Sequence, residues 1–127
     1  MVFDHHMSDS GIQPRVGGIL GDLARAAVIT DCLSEGTVTI HANGMRFCYN
    51  SGCGVGGICG RITAPASGYA MAATIKNTRF TGTIKINNPA ANEDKARYGQ
   101  TLGCSPNDNA TGILVKENWV EEGTLSL

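Results

Sequence analysis

Apolar positions between Gly17 and Ser34 recur at helical spacing, through Ile19, Leu20, Leu23, Ala27, Cys32 and Leu33, the stripe expected of one helix face. Ala24 and Ala26 are strong helix formers, Asp22 suits a first turn and Gly36 suits an exit. The spacing predicts a helix over 18–33. Within it the β-branched triplet Val28-Ile29-Thr30 is where a strand competes, because branching at Cβ costs side-chain freedom in a helix and fits a pleated surface.

The next segment alternates. Thr37-Val-Thr-Ile-His-Ala42, then Asn43-Gly44, then Met45-Arg-Phe-Cys-Tyr49 reads as a β-hairpin, since Asn-Gly is the preferred pair where both turn residues need positive φ. Ile58–Ala64, Tyr69–Ile75 and Arg79–Ile86 read as strands, the last with Phe80, Ile84 and Ile86 on one parity. Two Thr-Ile-Lys units, 74–76 and 83–85, echo each other without establishing a repeat architecture. Asn88-Pro89 opens a short second helix to Tyr98, with Gly99 as its exit. Ile113–Lys116, Trp119-Val120 and Gly123–Leu127 read as short strands. The expected fold is therefore α+β and mainly β. It is an antiparallel sheet, a small sandwich or barrel, packed by the N-terminal helix and the short second one. One domain spans 1–127, with 1–16 as a polar arm.

Charge changes this picture more than composition does. Residues 36–92 contain no acid and carry Arg46, Arg61, Lys76, Arg79 and Lys85. The flanks, 1–35 and 93–127, each sum to −3, so the net charge of −1 hides a basic middle between acidic arms. A one-sign segment attracts the opposite sign. The expectation is that copies associate by placing Asp4, Asp9, Glu117, Glu121 and Glu122 against that basic segment, a contact weakened by salt. Only 17% of residues are charged and 17 are Gly, a composition typical of β-rich assembly proteins. The expected role is a non-catalytic structural subunit of a repeating assembly. A viral or phage particle component leads and a filament subunit follows; virion or intracellular assembly is the expected setting. Partners are copies of the chain and other subunits, with nucleic acid a weaker expectation. No apolar run approaches ~18 residues, so no membrane span is expected, and Met1–His6 shows no signal-peptide pattern.

Glu35-Gly-Thr-Val-Thr-Ile-His-Ala-Asn-Gly44 resembles one unit of the PAAR-type spike-tip proteins, whose repeats alternate a short strand with an Asn-Gly turn. The resemblance covers ten residues and has no counterpart of that family's metal-binding histidines, so its function is not carried over.

Chemistry-bearing motifs are sparse. Gly52-Cys-Gly54-Val-Gly-Gly57 fits G-x-G-x-x-G, but a strand-like run follows where a dinucleotide site needs a helix, and the acidic residue ~20 positions on is missing. His41, Cys48, Cys53 and Cys59 match no common metal-ligand spacing. Five cysteines leave at least one unpaired in a monomer, and reduced thiols are the expectation. No metal or cofactor is expected, and no enzyme. The competing class is a thiol-dependent or metal-binding enzyme using the loop 48–60, with Cys53 or Cys59 as nucleophile, His41 as base, and Arg46 and Arg61 lowering the thiol pKa.

Overall fold

The computed structural model describes residues 2–4, 14–24, 27–48, 53–63, 72–104 and 114–127. Its order is β1 (Val2–Asp4), β2 (Arg15–Gly17), β3 (Leu20–Ala24), β4 (Val28–Thr30), β5 (Leu33–Ser34), β6 (Thr37–His41), β7 (Gly54–Gly56), β8 (Cys59–Thr63), β9 (Ala73–Phe80), β10 (Thr83–Asn87), a 3-10 turn (Lys95–Arg97), β11 (Tyr98–Gly99), β12 (Leu102–Cys104), β13 (Leu114–Glu121) and β14 (Thr124–Ser126).

Every strand pairing is parallel. Sheet I stacks β2, β7 and β11; sheet II stacks β3, β8 and β12. Sheet III stacks β4 and β5 on β9, with β13 below. Sheet IV runs β1, β6, β10, β14. The chain visits sheets I, II, III and IV in turn, then starts again on the next layer. This is a parallel β-solenoid of three coils, preceded by β1 on sheet IV. Register holds through all layers: Val16 over Val55 over Tyr98, Leu20 over Cys59 over Leu102, Ile29 over Ile75 over Lys116, Val38 over Ile84 over Leu125.

This overturns the expected antiparallel α+β fold. The 18–33 helix is replaced by β3, β4 and β5: Gly17, Gly18 and Gly21 weaken a helix there, and the β-branched triplet forms β4. Asp31 then takes φ 57 and breaks any continuation. The second helix reduces to the 3-10 turn, whose cap Asp94 accepts from Ala96 N at 3.2 Å. At 43–44 the turn forms, with φ 55 and 78 and Met45 N donating to Ala42 O at 2.9 Å. No hairpin follows. Strand β6 pairs with β1 and β10, and Gly44 N bonds instead to Asn88 O of the next coil at 2.7 Å. Of the polar arm 1–16, β1 pairs on β6, while residues 5–13 lie outside the described ones.

The coils are written in the sequence as a repeat of long and uneven period. Val16-Gly-Gly-Ile-Leu-Gly-Asp-Leu23 returns as Val55-Gly-Gly-Ile-Cys-Gly-Arg-Ile62, and Gly36-Thr-Val recurs as Gly82-Thr-Ile and Gly123-Thr-Leu. Gly17, Gly54, Gly56 and Gly60 fall where sheets I and II press together. A Cβ on Gly54 would lie 2.2 Å from Gly60 O, and one on Gly56 2.0 Å from Cys59 O. Strands β7 and β8 thus meet backbone to backbone with no side chains between. Elsewhere the interior holds Ile40, Ile58, Ile62, Ile75, Phe80 and Ile84, all buried. The Phe80 ring fills the space that Cβ atoms on Gly57 or Gly123 would enter, at 2.4 and 2.5 Å.

Candidate functional site

Alternation along β7 turns Val55 away from the glycine-packed side of sheet I, yet Val55 is fully buried. The chain returns from sheet IV to sheet I twice, and the described residues 42–48 and 88–97 of those connections form a lobe. They run alongside each other. Ala42 N donates to Asn87 O (3.0 Å), Ala90 N to Met45 O (3.2 Å) and Asp94 N to Cys48 O (3.0 Å).

At the centre lies Glu93, buried to 8% exposure. One carboxyl oxygen accepts from Phe47 N at 2.7 Å; the other accepts from Cys48 N and from the Tyr98 hydroxyl, the latter at 2.7 Å. Cys48 and Cys53 are both fully buried. The Cys53 thiol, then burial, pushes the Cys48 thiol far up. Burial, then the neighbouring Cys48 and Glu93, pushes the Tyr98 phenol up. Both stay protonated at neutral pH. Sequence reasoning named Cys48 and Cys53 but missed Glu93 and Tyr98, since it placed 88–98 on a helix. The signal available was the repeat, which sets Tyr98-Gly99 beneath Val55-Gly56.

The remaining thiols have partners of their own. Burial pushes the Cys59 thiol up to about 11, and it donates to Arg61 O at 3.2 Å. Cys32 donates to Thr30 O (3.2 Å), and Cys104 lies 3.1 Å from an Arg97 guanidinium nitrogen, which itself is held by Asp94. His41 ends β6 on sheet IV, whereas Cys59 begins β8 on sheet II, so the fold separates the expected base from that nucleophile. Gly54, Gly56 and Gly57 of the glycine motif serve the close packing above; Gly52 lies outside the described residues. Among the described residues, no group of three His, Cys, Asp or Glu could hold a metal ion, and no helix is long and apolar enough to cross a membrane.

The charge segregation becomes coil alternation. Arg61, Lys76, Arg79 and Lys85 all lie on the middle coil, and Arg46 lies on the lobe. Arg61 is in register with Asp22 above, and Lys76 with Glu117 below. Arg79 donates through Nε to Glu122 at 3.0 Å, and Glu121 accepts from Thr101 N at 3.0 Å. Lys85 stands between Thr39 and Ser126. Asp4 is opposite His41 in β1, and Asp9 lies outside the described residues. Several charges assigned to a contact between copies therefore meet within one chain.

The two ends of the stack are unlike its middle. Ile19 is 46% exposed and Leu125 37%, while Ile58 and Ile84, their counterparts on the middle coil, are fully buried. All seven large aliphatics exposed among the described residues, including Val28, Leu33 and Val115, belong to the first or last coil. A groove of about 280 Å³ opens at the first coil, lined by Ile19, Leu33, Ser34, Glu35 and Val38 among others.

No family model, curated protein or solved structure matches this chain.

Proposed function

We propose that the chain is a structural, non-catalytic module of a repeating assembly, joined to neighbouring parallel coils through its open ends. The observation that carries this reading is the confinement of exposed aliphatics to the end coils. Strands β2, β3 and β4 at one end, and β11 to β14 at the other, each pair on one side only among the described residues. Unpaired parallel edges combined with apolar side chains are what another coil covers. Strand β1 already occupies sheet IV at the first end, so the open edge there belongs to sheets I to III. Burial of thiols in the protonated state supports a structural reading over a thiol nucleophile, which acts as the thiolate.

The test is mutation at the two ends. Ile19→Lys and Leu125→Lys, made separately, leave the buried middle coil untouched. Each is expected to lower the native mass of wild-type oligomers while the far-ultraviolet dichroism stays that of a β-fold. Unchanged oligomer mass in both variants would contradict docking through the ends.

A further inference from the structure

The two outer coils carry closely similar stretches. Leu33-Ser-Glu-Gly-Thr-Val-Thr-Ile40 on the first coil returns as Val120-Glu-Glu-Gly-Thr-Leu-Ser-Leu127 on the last, and the middle coil reads Arg79-Phe-Thr-Gly-Thr-Ile-Lys-Ile86 between them. Register places Leu33 and Val120 on either side of Arg79, and Ser34 and Glu121 on either side of Phe80. The middle coil docks downward on the last. Arg79 Nε donates to Glu122 at 3.0 Å, and the Phe80 ring lies 2.5 Å from where a Cβ on Gly123 would stand. Glu122 N donates to Phe80 O at 2.9 Å. An Arg-Phe pair above thus engages a Glu-Gly-Thr step below.

The first coil carries the same step, Glu35-Gly36-Thr37. Above it β1 covers only Thr39 to His41, and the groove of about 280 Å³ opens beside it. Glu35 is exposed, and among the described residues no cation pairs with it. A Cβ on Gly82 would stand 2.1 Å from Gly36 O, and one on Gly123 2.5 Å from Gly82 O, so these two glycines admit the backbone of the coil above. A Cβ on Gly36 would meet nothing within 4 Å, and Gly36 is not at positive φ. Neither a turn nor a contact among the described residues calls for glycine at 36. A coil approaching from above does.

We propose that the first coil is the docking site for a parallel strand of another protein chain that carries Arg-Phe in the register of 79–80. The partner's Phe ring fills the groove over Gly36 as Phe80 lies over Gly123. Its Arg pairs with Glu35 as Arg79 does with Glu122, and its backbone carbonyl accepts from Glu35 N. The proposal rests on the reading that the open ends receive other coils, and names the coil that the first end receives. A second copy is the poorer occupant. Its Phe80 is fully buried in its own middle coil, and its last coil sets Glu121 over the groove and Glu122 beside Glu35, like charges that approach only when screened.

The probe is the synthetic peptide of residues 74–84, Thr-Ile-Lys-Asn-Thr-Arg-Phe-Thr-Gly-Thr-Ile. It is labelled and titrated by fluorescence anisotropy against the intact protein at low salt. Saturable binding is expected, and Phe80→Ser in the peptide should weaken it roughly tenfold or more, since a buried ring is lost. Glu35→Arg in the protein should weaken the peptide and favour its Arg79→Glu form, a swap of preference that an unspecific apolar contact does not produce. Gly36→Val should abolish binding of both by closing the groove while leaving the melting temperature unchanged, because its side chain enters open space. The peptide of residues 117–127, from the last coil, should bind more weakly. Absence of saturable binding by the 74–84 peptide, or binding indifferent to Glu35→Arg and Gly36→Val, would overturn the proposal. Tighter binding of the 117–127 peptide would overturn it too, by making a second copy the occupant. Each of these results leaves docking through the ends to the separate test with Ile19→Lys and Leu125→Lys.

Discussion

Glu93 shows how one side chain can organise a connection between coils. A buried carboxyl is costly unless its oxygens are hydrogen-bonded, and here two backbone amides and a phenol satisfy it. Truncation reverses the arrangement, leaving three donors in an apolar lobe. Glu93→Ala should therefore destabilise by about 3 kcal/mol, measured by urea denaturation, with Glu93→Gln losing less because it keeps one acceptor. The same lobe predicts a pH dependence. Cys48, Cys59 and Tyr98 all hold their protons more tightly folded than unfolded. Their contribution is complete below the ordinary values of 9.0 for the thiols and 10.0 for the phenol, and is lost as pH rises. For Cys59 the loss runs from 9.0 to about 11; for Cys48 and Tyr98 it continues higher. Melting temperature should fall steeply above pH 9, each group costing up to ~1.4 kcal/mol per unit. A melting temperature flat from pH 8 to 11 would contradict the buried, protonated lobe.

At the scale of elements, the bend within sheet III repeats a single device. Asp31, Asn77 and Asn118 occupy one register position on three coils, all at positive φ of 57, 51 and 50, and Asn118 Nδ2 donates to Asn77 Oδ1 at 3.1 Å. Asn and Asp adopt this region more readily than branched residues do. Asn77→Val should cost about 2 kcal/mol through backbone strain and loss of the ladder bond, whereas Asn77→Gly should cost less; equal losses would show that strain plays no part. These positions also explain what was legible from sequence. Local alternation marks strands such as Thr37–His41 and Thr83–Asn87, and Asn43-Gly44 announces its own positive φ. Local pattern cannot report a partner some forty residues away, which is where every parallel neighbour lies. A turn signal at 43–44 therefore suggested a hairpin that the solenoid does not contain. Helical spacing over 18–33 arose because sheets II and III each place apolar residues on that stretch. The repeat beginning at Val16 and Val55 was the long-range signal, diluted by connections of unequal length. In the lobe, the cysteines were visible as chemistry, but Glu93 was one acid among eleven until stacking brought it beneath Cys48.

The whole molecule turns a linear charge pattern into layers, an acidic coil on each side of a basic one. Pairing such as Arg79 with Glu122 joins coils within a chain and leaves the two end coils acidic as well as apolar. Exposed pairs of this kind add little to stability, but their placement changes the expected response to salt. Contact between end coils brings like charges together, so screening should favour assembly instead of dissolving it. Sedimentation equilibrium over a range of protein concentration, at low salt and at ~0.5 M, tests the account most directly. It predicts a weight-average mass that rises with concentration and rises further with salt. A strictly monomeric mass under every condition would contradict it, as would an oligomer that salt dissociates.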